Sequence, residues 1–342
     1  MKEQSKERKF DRSDAISMNL VNPNSDRKDA IQSMMNLDDK LICFSEKSIT
    51  EVLTAETIDP KNENPETRHT YRTIYQIGTD NSFVARTIIQ SKEIVDTVLL
   101  RKGIEKQKVL NHVWACSKLL FNCEESYYKI FTRTTGLMPE CDAIISKHKK
   151  SCYIPQLPQL EDLEQHVVAF LGNAKRFLET SHGLINIFYD SPYFDSNFKS
   201  YREWMAKNKP DHENIRQFLE QDKDWIQFIS SSRNALDVNH SKPKFRVIIE
   251  NFKLHKGNKF TSPSWRYDFT AKNGGVQNEP SDIIRDMNIH MNNMLTFFEE
   301  IFILCIQDNW DDRYNFQIYK RTEDEINKKC PSVYFMSLKL KK

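Results

Sequence analysis

The sequence predicts a mainly α protein, a helical bundle with a small β-hairpin or extended appendage and an N-terminal helical region preceded by a flexible segment. Three observations point there. Gly accounts for only 8 of 342 residues, about 2% where roughly 7% is usual, so the turn-rich composition of an all-β fold is missing. Apolar residues recur at three- and four-residue steps over long stretches, which is the helical period. The chain carries 21 Phe within a 39% apolar composition, enough to fill a core.

Composition also bounds function. Fifty Lys plus Arg against 48 Asp plus Glu leave a net charge of +2. That excludes a surface cationic throughout and allows a local basic groove. Neither GxGxxG nor GxxxxGK[ST] occurs, so no backbone-cradled dinucleotide or triphosphate site is expected. The seven Cys (43, 116, 123, 141, 152, 305 and 330) include no CxxC pair and no Cys/His spacing suited to zinc. They read as reduced thiols, with no metal and no cofactor. The start, MKEQSKERKFDRSD, lacks the apolar stretch of a signal peptide. The most apolar run, Leu295 to Ile306, is interrupted by Glu299 and Glu300 and is too short to span a bilayer. A cytoplasmic protein without membrane contact is therefore expected.

In chain order, residues 1–64 read as a flexible or partly ordered segment, with a short helix placed within Met34 to Leu53 and a linker-like DPKNENPE at 59–66. Residues 65–152 read as an N-terminal helical region of unassigned role. Val95, Val98, Leu110, Val113, Leu120, Tyr127 and Ile130 mark its apolar face, Gly103 an interruption and Gly136 a stop. The two prolines of KHKKSCYIPQLPQ (147–159) push their preceding residues out of the α region and mark a boundary.

Residues 153–342 then form the bundle. Leu160, Leu163, Val167, Leu171, Ala174, Leu178, Ser181 and Ile185 make one stripe, closed by SPYFDSN at 191–197. A third helix is expected from Asn214 to Leu236, followed by a β excursion over 245–269. Asn273-Gly-Gly and Glu279-Pro280 lead to a last helix with Ser281 as N-cap. Its residues Ile284, Met287, Met291, Met294, Phe298, Ile301 and Cys305 form a seam that requires a partner helix. A short strand from Val333 to Leu338 ends the chain before a basic tail.

The third helix breaks pattern. Its stripe reads Ile226, Ile229, Arg233, Leu236, His240, placing two ionisable residues on an apolar seam. Seven residues turn a helix to within roughly 20° of two full turns, so Arg233 and His240 would share a face. A buried unpaired arginine is costly, and such a position asks for an explanation.

Arg233-Asn234 followed by His240, near the end of one bundle helix and before another, resembles the Arg-x4–6-His signature of the HEPN superfamily, whose members often carry Asn directly after that Arg. The resemblance covers about residues 155–310. It implies a metal-independent endoribonuclease of a prokaryotic defence or toxin–antitoxin type, cleaving RNA through 2′-OH attack. It also implies a homodimer with two motifs facing one groove, and a partner antitoxin or sensor protein. Arg233 would clamp the phosphorane oxygens, Asn234 would position the phosphate, and His240 would act as acid or base. The alternative is a non-catalytic nucleotide-, RNA- or protein-binding module of the same shape.

Two other pairs fit the spacing, Arg176/His182 and Arg285/His290, and read as structural. Trp265, Arg266 and Tyr267 form an aromatic–basic cluster that could contact RNA by stacking and charge, though a packed hairpin is the commoner use of such residues. Asp308, Asp311 and Asp312 read as a solvated helix end.

Overall fold

The structure, a computed structural model, describes residues 29–192, 198–237, 245–269 and 279–338. The polar start, His240, the Asn273-Gly-Gly turn and the basic tail lie outside the described residues, as does most of SPYFDSN. About 53% of the chain is helix and 20% strand, the strands forming four small sheets. The fold is therefore mixed α/β, which corrects the mainly α expectation.

The correction begins where a helix was expected, between Met34 and Leu53. That stretch forms antiparallel strands β1 (Ile31–Leu37), β2 (Lys40–Ser45) and β3 (Ile49–Leu53). Asp38 and Asp39 connect β1 to β2 with φ of 51° and 60°. Two left-handed residues in a two-residue loop match the right-handed twist of the flanking strands. Asp tolerates that region without a glycine, so the turn carried no Gly to announce it.

The chain divides into two compact units. The first comprises Met1–Leu99, Glu105–Asn111 and Asp312–Lys342. In it β1, β2, β3 and β4 (Thr70–Tyr75) form one sheet in chain order. Met35, Leu37, Ile42, Phe44, Ile49 and Val52 are buried. A short helix, α1 (Ala55–Ile58), follows β3, and α2 (Ser82–Val84) leads through a π-helical turn, Ala85–Ile89, into α3 (Gln90–Thr97). The C-terminal strands β10 (Phe316–Lys320) and β11 (Tyr334–Leu338) form a separate antiparallel pair. Gln90 secures the approach to β11, its side-chain oxygen accepting from the N–H groups of Val333 and Tyr334, both at 2.7 Å. The strand expected at Val333 to Leu338 is thus present.

The second unit comprises Leu100–Ile104 and His112–Asp311. Helix α4 (Lys106–Lys147) begins among residues of the first unit and continues here. It runs past Gly136 and Pro139, so Gly136 is no stop. Gly103, at φ 103°, does mark the interruption before it. Helix α5 (Leu163–Tyr189) buries its whole anticipated stripe. The third anticipated helix is instead two, α7 (Glu213–Gln221) and α8 (Lys223–Ala235), separated at Asp222, with α6 (Phe198–Asn208) before them.

Strands β5 (Phe245–Glu250), β8 (Ser264–Phe269) and β9 (Ser281–Asp282) form a sheet in that order. Strands β6 (Lys253–His255) and β7 (Lys259–Thr261) form a hairpin of their own. The β excursion expected over 245–269 is therefore two nested hairpins. Helix α9 (Ile283–Asn309) is capped by Asp282 rather than Ser281, its carboxylate accepting from the Arg285 N–H at 2.8 Å.

The partner required by the Met/Phe seam of α9 is α5, with Phe177 against Phe298 at 6.3 Å between ring centroids. Met287, Met294, Phe298 and Ile301 are fully buried, and each such side chain contributes about 1.5–3 kcal/mol. Among the described residues α9 is the one helix long and apolar enough to cross a bilayer by composition, and 61% of its apolar stretch is buried inside the protein.

Candidate functional site

Helix α8 buries Ile226, Ile229 and Ser232. Ser231 is buried as well, so in the last turn two serines rather than Arg233 hold the covered positions. The helix interruption at Asp222, which ends α7 and begins α8, also frees α8 from the register of α7. Arg233 is accordingly not a buried seam residue. Its side chain is 39% exposed and its Nη1 pairs with Asp237, four residues on. Placed in the last turn, it also faces the negative end of the helix dipole, which favours a cation.

Asn234 points to α5, where its Oδ1 accepts from Lys175 Nζ at 3.4 Å. Lys175 lies 3.4 Å from Glu179 as well, and the neighbouring Arg176 is exposed. Two helices thus bring Lys175, Arg233 and Asn234 to one end of α8, together with the carboxylates Glu179 and Asp237. Such a cluster presents a held guanidinium, an amide and an ammonium to an anion, with two carboxylates moderating the charge. His240, the proposed proton carrier, lies outside the described residues.

The aromatic–basic cluster is divided by strand alternation. Trp265 is fully buried and donates from Nε1 to Asp286 Oδ2 at 2.8 Å. Tyr267 is buried against Phe228 and Phe245. Burial pushes its phenol pKa up, despite a hydrogen bond with Ser232. Neither ring offers a face to a base, so the stacking role fails for both. Arg266, between them, emerges on the other face of β8.

The other two Arg/His pairs behave as structure. His182 is buried among Phe198, Tyr201 and Phe297, while Arg176 is exposed. His290 accepts from Trp225 Nε1 at 3.3 Å through its Nδ1, and burial lowers its pKa. Arg285 is a surface residue beside Asp286. No group of His, Cys, Asp and Glu able to hold a metal ion occurs among the described residues.

One constellation had no signal in the sequence. Tyr189 Oη donates to Asp308 Oδ2 at 2.8 Å, and His212 Nδ1 lies 2.8 Å from the same oxygen. The two rings meet edge to face at 5.0 Å. Burial, followed by the nearby Cys305 and Asp308, raises the Tyr189 pKa. Asp308 is thus no solvated helix end; it ties the ends of α5 and α9 to the start of α7. A carboxylate that fixes an imidazole is the frame of an oriented base, yet none of the three lines the groove described below.

Comparison of the chain with known protein families, curated proteins and solved structures finds no match.

Proposed function

We propose that the chain engages RNA at the end of α8, where Arg233 and Lys175 grip a phosphodiester in the manner of HEPN-type helical modules. The observation that carries this reading is the held but accessible guanidinium of Arg233. Asp237 occupies one nitrogen and leaves the remaining N–H donors pre-oriented, so less side-chain freedom is lost when a phosphate arrives. Lys175 brings a second positive charge from α5, and Asn234 fixes its position.

Recognition is the part the geometry supports best. Cleavage adds one requirement, that His240 reach the same phosphate. The 2′-oxygen would then attack phosphorus, the 5′-oxygen would leave protonated, and a 2′,3′-cyclic phosphate would result. One histidine cannot easily both take and give a proton, so cleavage would also call for a homodimer pairing two such ends. The alternative, a non-catalytic module that binds without turnover, requires only Arg233, Asn234 and Lys175 and no proton carrier.

Mixing the full chain with an end-labelled single-stranded RNA tests both. Recognition predicts binding that weakens with salt and with Arg233→Ala and Lys175→Ala. Cleavage predicts cyclic-phosphate products that His240→Ala abolishes while RNA binding persists. Binding indifferent to Arg233 and Lys175 would sink the proposal.

A further inference from the structure

A groove of about 620 Å³ lies over the sheet β5-β8-β9, beside the β6–β7 hairpin. It falls within the size range of ligand sites. Its lining is chemically sorted. The basic side chains come from the hairpin and from β8: Lys253, His255 and Arg266. The acceptors come largely from β9 and the residues leading into it: Glu279, Ser281 and Asp282.

Strand geometry explains the sorting. Lys253 and His255 are two apart, hence on one face of β6. Arg266 lies between Trp265 and Tyr267, whose rings are buried, so the same alternation that removes those rings from solvent delivers the guanidinium to the groove. The Asp282 carboxylate is fixed, with Oδ1 accepting from the Arg285 N–H and Oδ2 from Ser262 Oγ, each at 2.8 Å. Lys253 Nζ lies 3.3 Å from Glu250 Oε1.

Lys253 and Arg266 against Glu250, Glu279 and Asp282 leave the groove with no excess of positive charge. That balance disfavours a polyphosphate or a duplex backbone. It suits a ligand with one phosphate and a nearby diol: the phosphate to Arg266, which can bind it bidentately, and to Lys253; the hydroxyls to Glu279 and Asp282, the latter on Arg266's face of the sheet. We propose that this groove binds a ribonucleoside monophosphate unit, either a free nucleotide or the 5′-phosphorylated end of an RNA. The site is separate in its residues from the α8 end and does not rest on the RNA reading given above.

Calorimetric titration of the full chain with UMP, 2′,3′-dideoxy-UMP, inorganic phosphate and 5′-phosphorylated tetrauridylate tests it. Saturable binding of UMP is expected, weakened at least about tenfold by Arg266→Gln and by Lys253→Gln with the circular dichroism unchanged. Arg233→Ala should leave it intact. The dideoxy analogue and inorganic phosphate should each bind at least about tenfold more weakly than UMP, since each lacks one of the two recognised groups. Tetrauridylate tighter than UMP identifies an RNA end as the ligand, and equal affinity identifies the free nucleotide. No saturable binding of UMP or tetrauridylate at millimolar concentration, phosphate binding as well as UMP, or affinity unchanged in both folded variants would each overturn the proposal.

Discussion

Acidification should destabilise the second unit chiefly through one residue, His182. The imidazole is 2% exposed, enclosed by Phe198 at 4.6 Å, Tyr201 at 5.5 Å and Phe297 at 5.9 Å between ring centroids. Its buried Nε2 has no hydrogen-bond partner. Burial alone lowers its pKa from 6.5 to about 3. The unfolded chain therefore binds a proton that the folded chain refuses, and stability falls as pH drops below 6.5 towards 3. Linkage gives a loss of about 2 kcal/mol between pH 7.5 and 5.0, approaching about 5 kcal/mol below pH 3.

The assay is urea unfolding followed by tryptophan fluorescence at pH 7.5, 6.0 and 5.0. All five Trp (114, 204, 225, 265 and 310) belong to the second unit, so the signal reports that unit. His182→Phe keeps a flat ring among the aromatic neighbours and removes the titration. The variant should lose about 2 kcal/mol less than wild type between pH 7.5 and 5.0. His290, also depressed by burial, is present in both proteins and subtracts out. Equal pH losses in the two proteins, within about 0.5 kcal/mol, would refute the reasoning.

Other substitutions test the packing directly. A Cβ at Gly78 would sit 2.3 Å from the Ser45 carbonyl oxygen, whereas at Gly183 it would meet the His112 ring at 2.4 Å. Gly183→Ala should cost about 1–3 kcal/mol and Gly78→Ala more, because backbone yields less readily than a side chain; thermal melts will rank them. Gly172→Ala, inside α5 with nothing within 4 Å, should instead stabilise by about 0.5–1 kcal/mol. Asp308→Asn should cost about 1–3 kcal/mol, and a double-mutant cycle with His212→Phe should show coupling through the shared oxygen. In the first unit Glu51 is 2% exposed and contacts Lys40 at 2.8 Å and Arg72 at 2.5 Å. Burial raises its pKa, but the two cations outweigh it and the net shift is downward. Its contribution is therefore present above pH 4.5 and lost as pH falls below that value, a loss that Glu51→Gln should abolish in acid-denaturation curves monitored by circular dichroism.

The helices of the bundle were legible in the residues because their period is local. The stripe from Leu160 to Ile185, which α5 carries from Leu163 on, is buried throughout, and the α9 seam from Ile284 to Cys305 is buried at every position but the half-buried Ile284. The nested strands of 245–269 and the closing strand β11 were legible for the same reason, since alternation needs only neighbouring residues. Strands β1 to β3 were not, because the Asp38-Asp39 turn bends without glycine and because β2 and β3 are buried along most of their length, which removes the alternation a half-buried strand shows.

Which side of a strand or helix faces inward at a site is a tertiary matter. Trp265 and Tyr267 are core because β8 lies between β5 and β9 over α8, and Arg233 is at the surface because Ser232 takes the buried position. The meeting of Tyr189, His212 and Asp308 joins residues up to 119 apart in the chain, a proximity that no local pattern encodes. Periodicity reports how a segment folds on itself; only the packing of segments against one another decides which polar groups share a space.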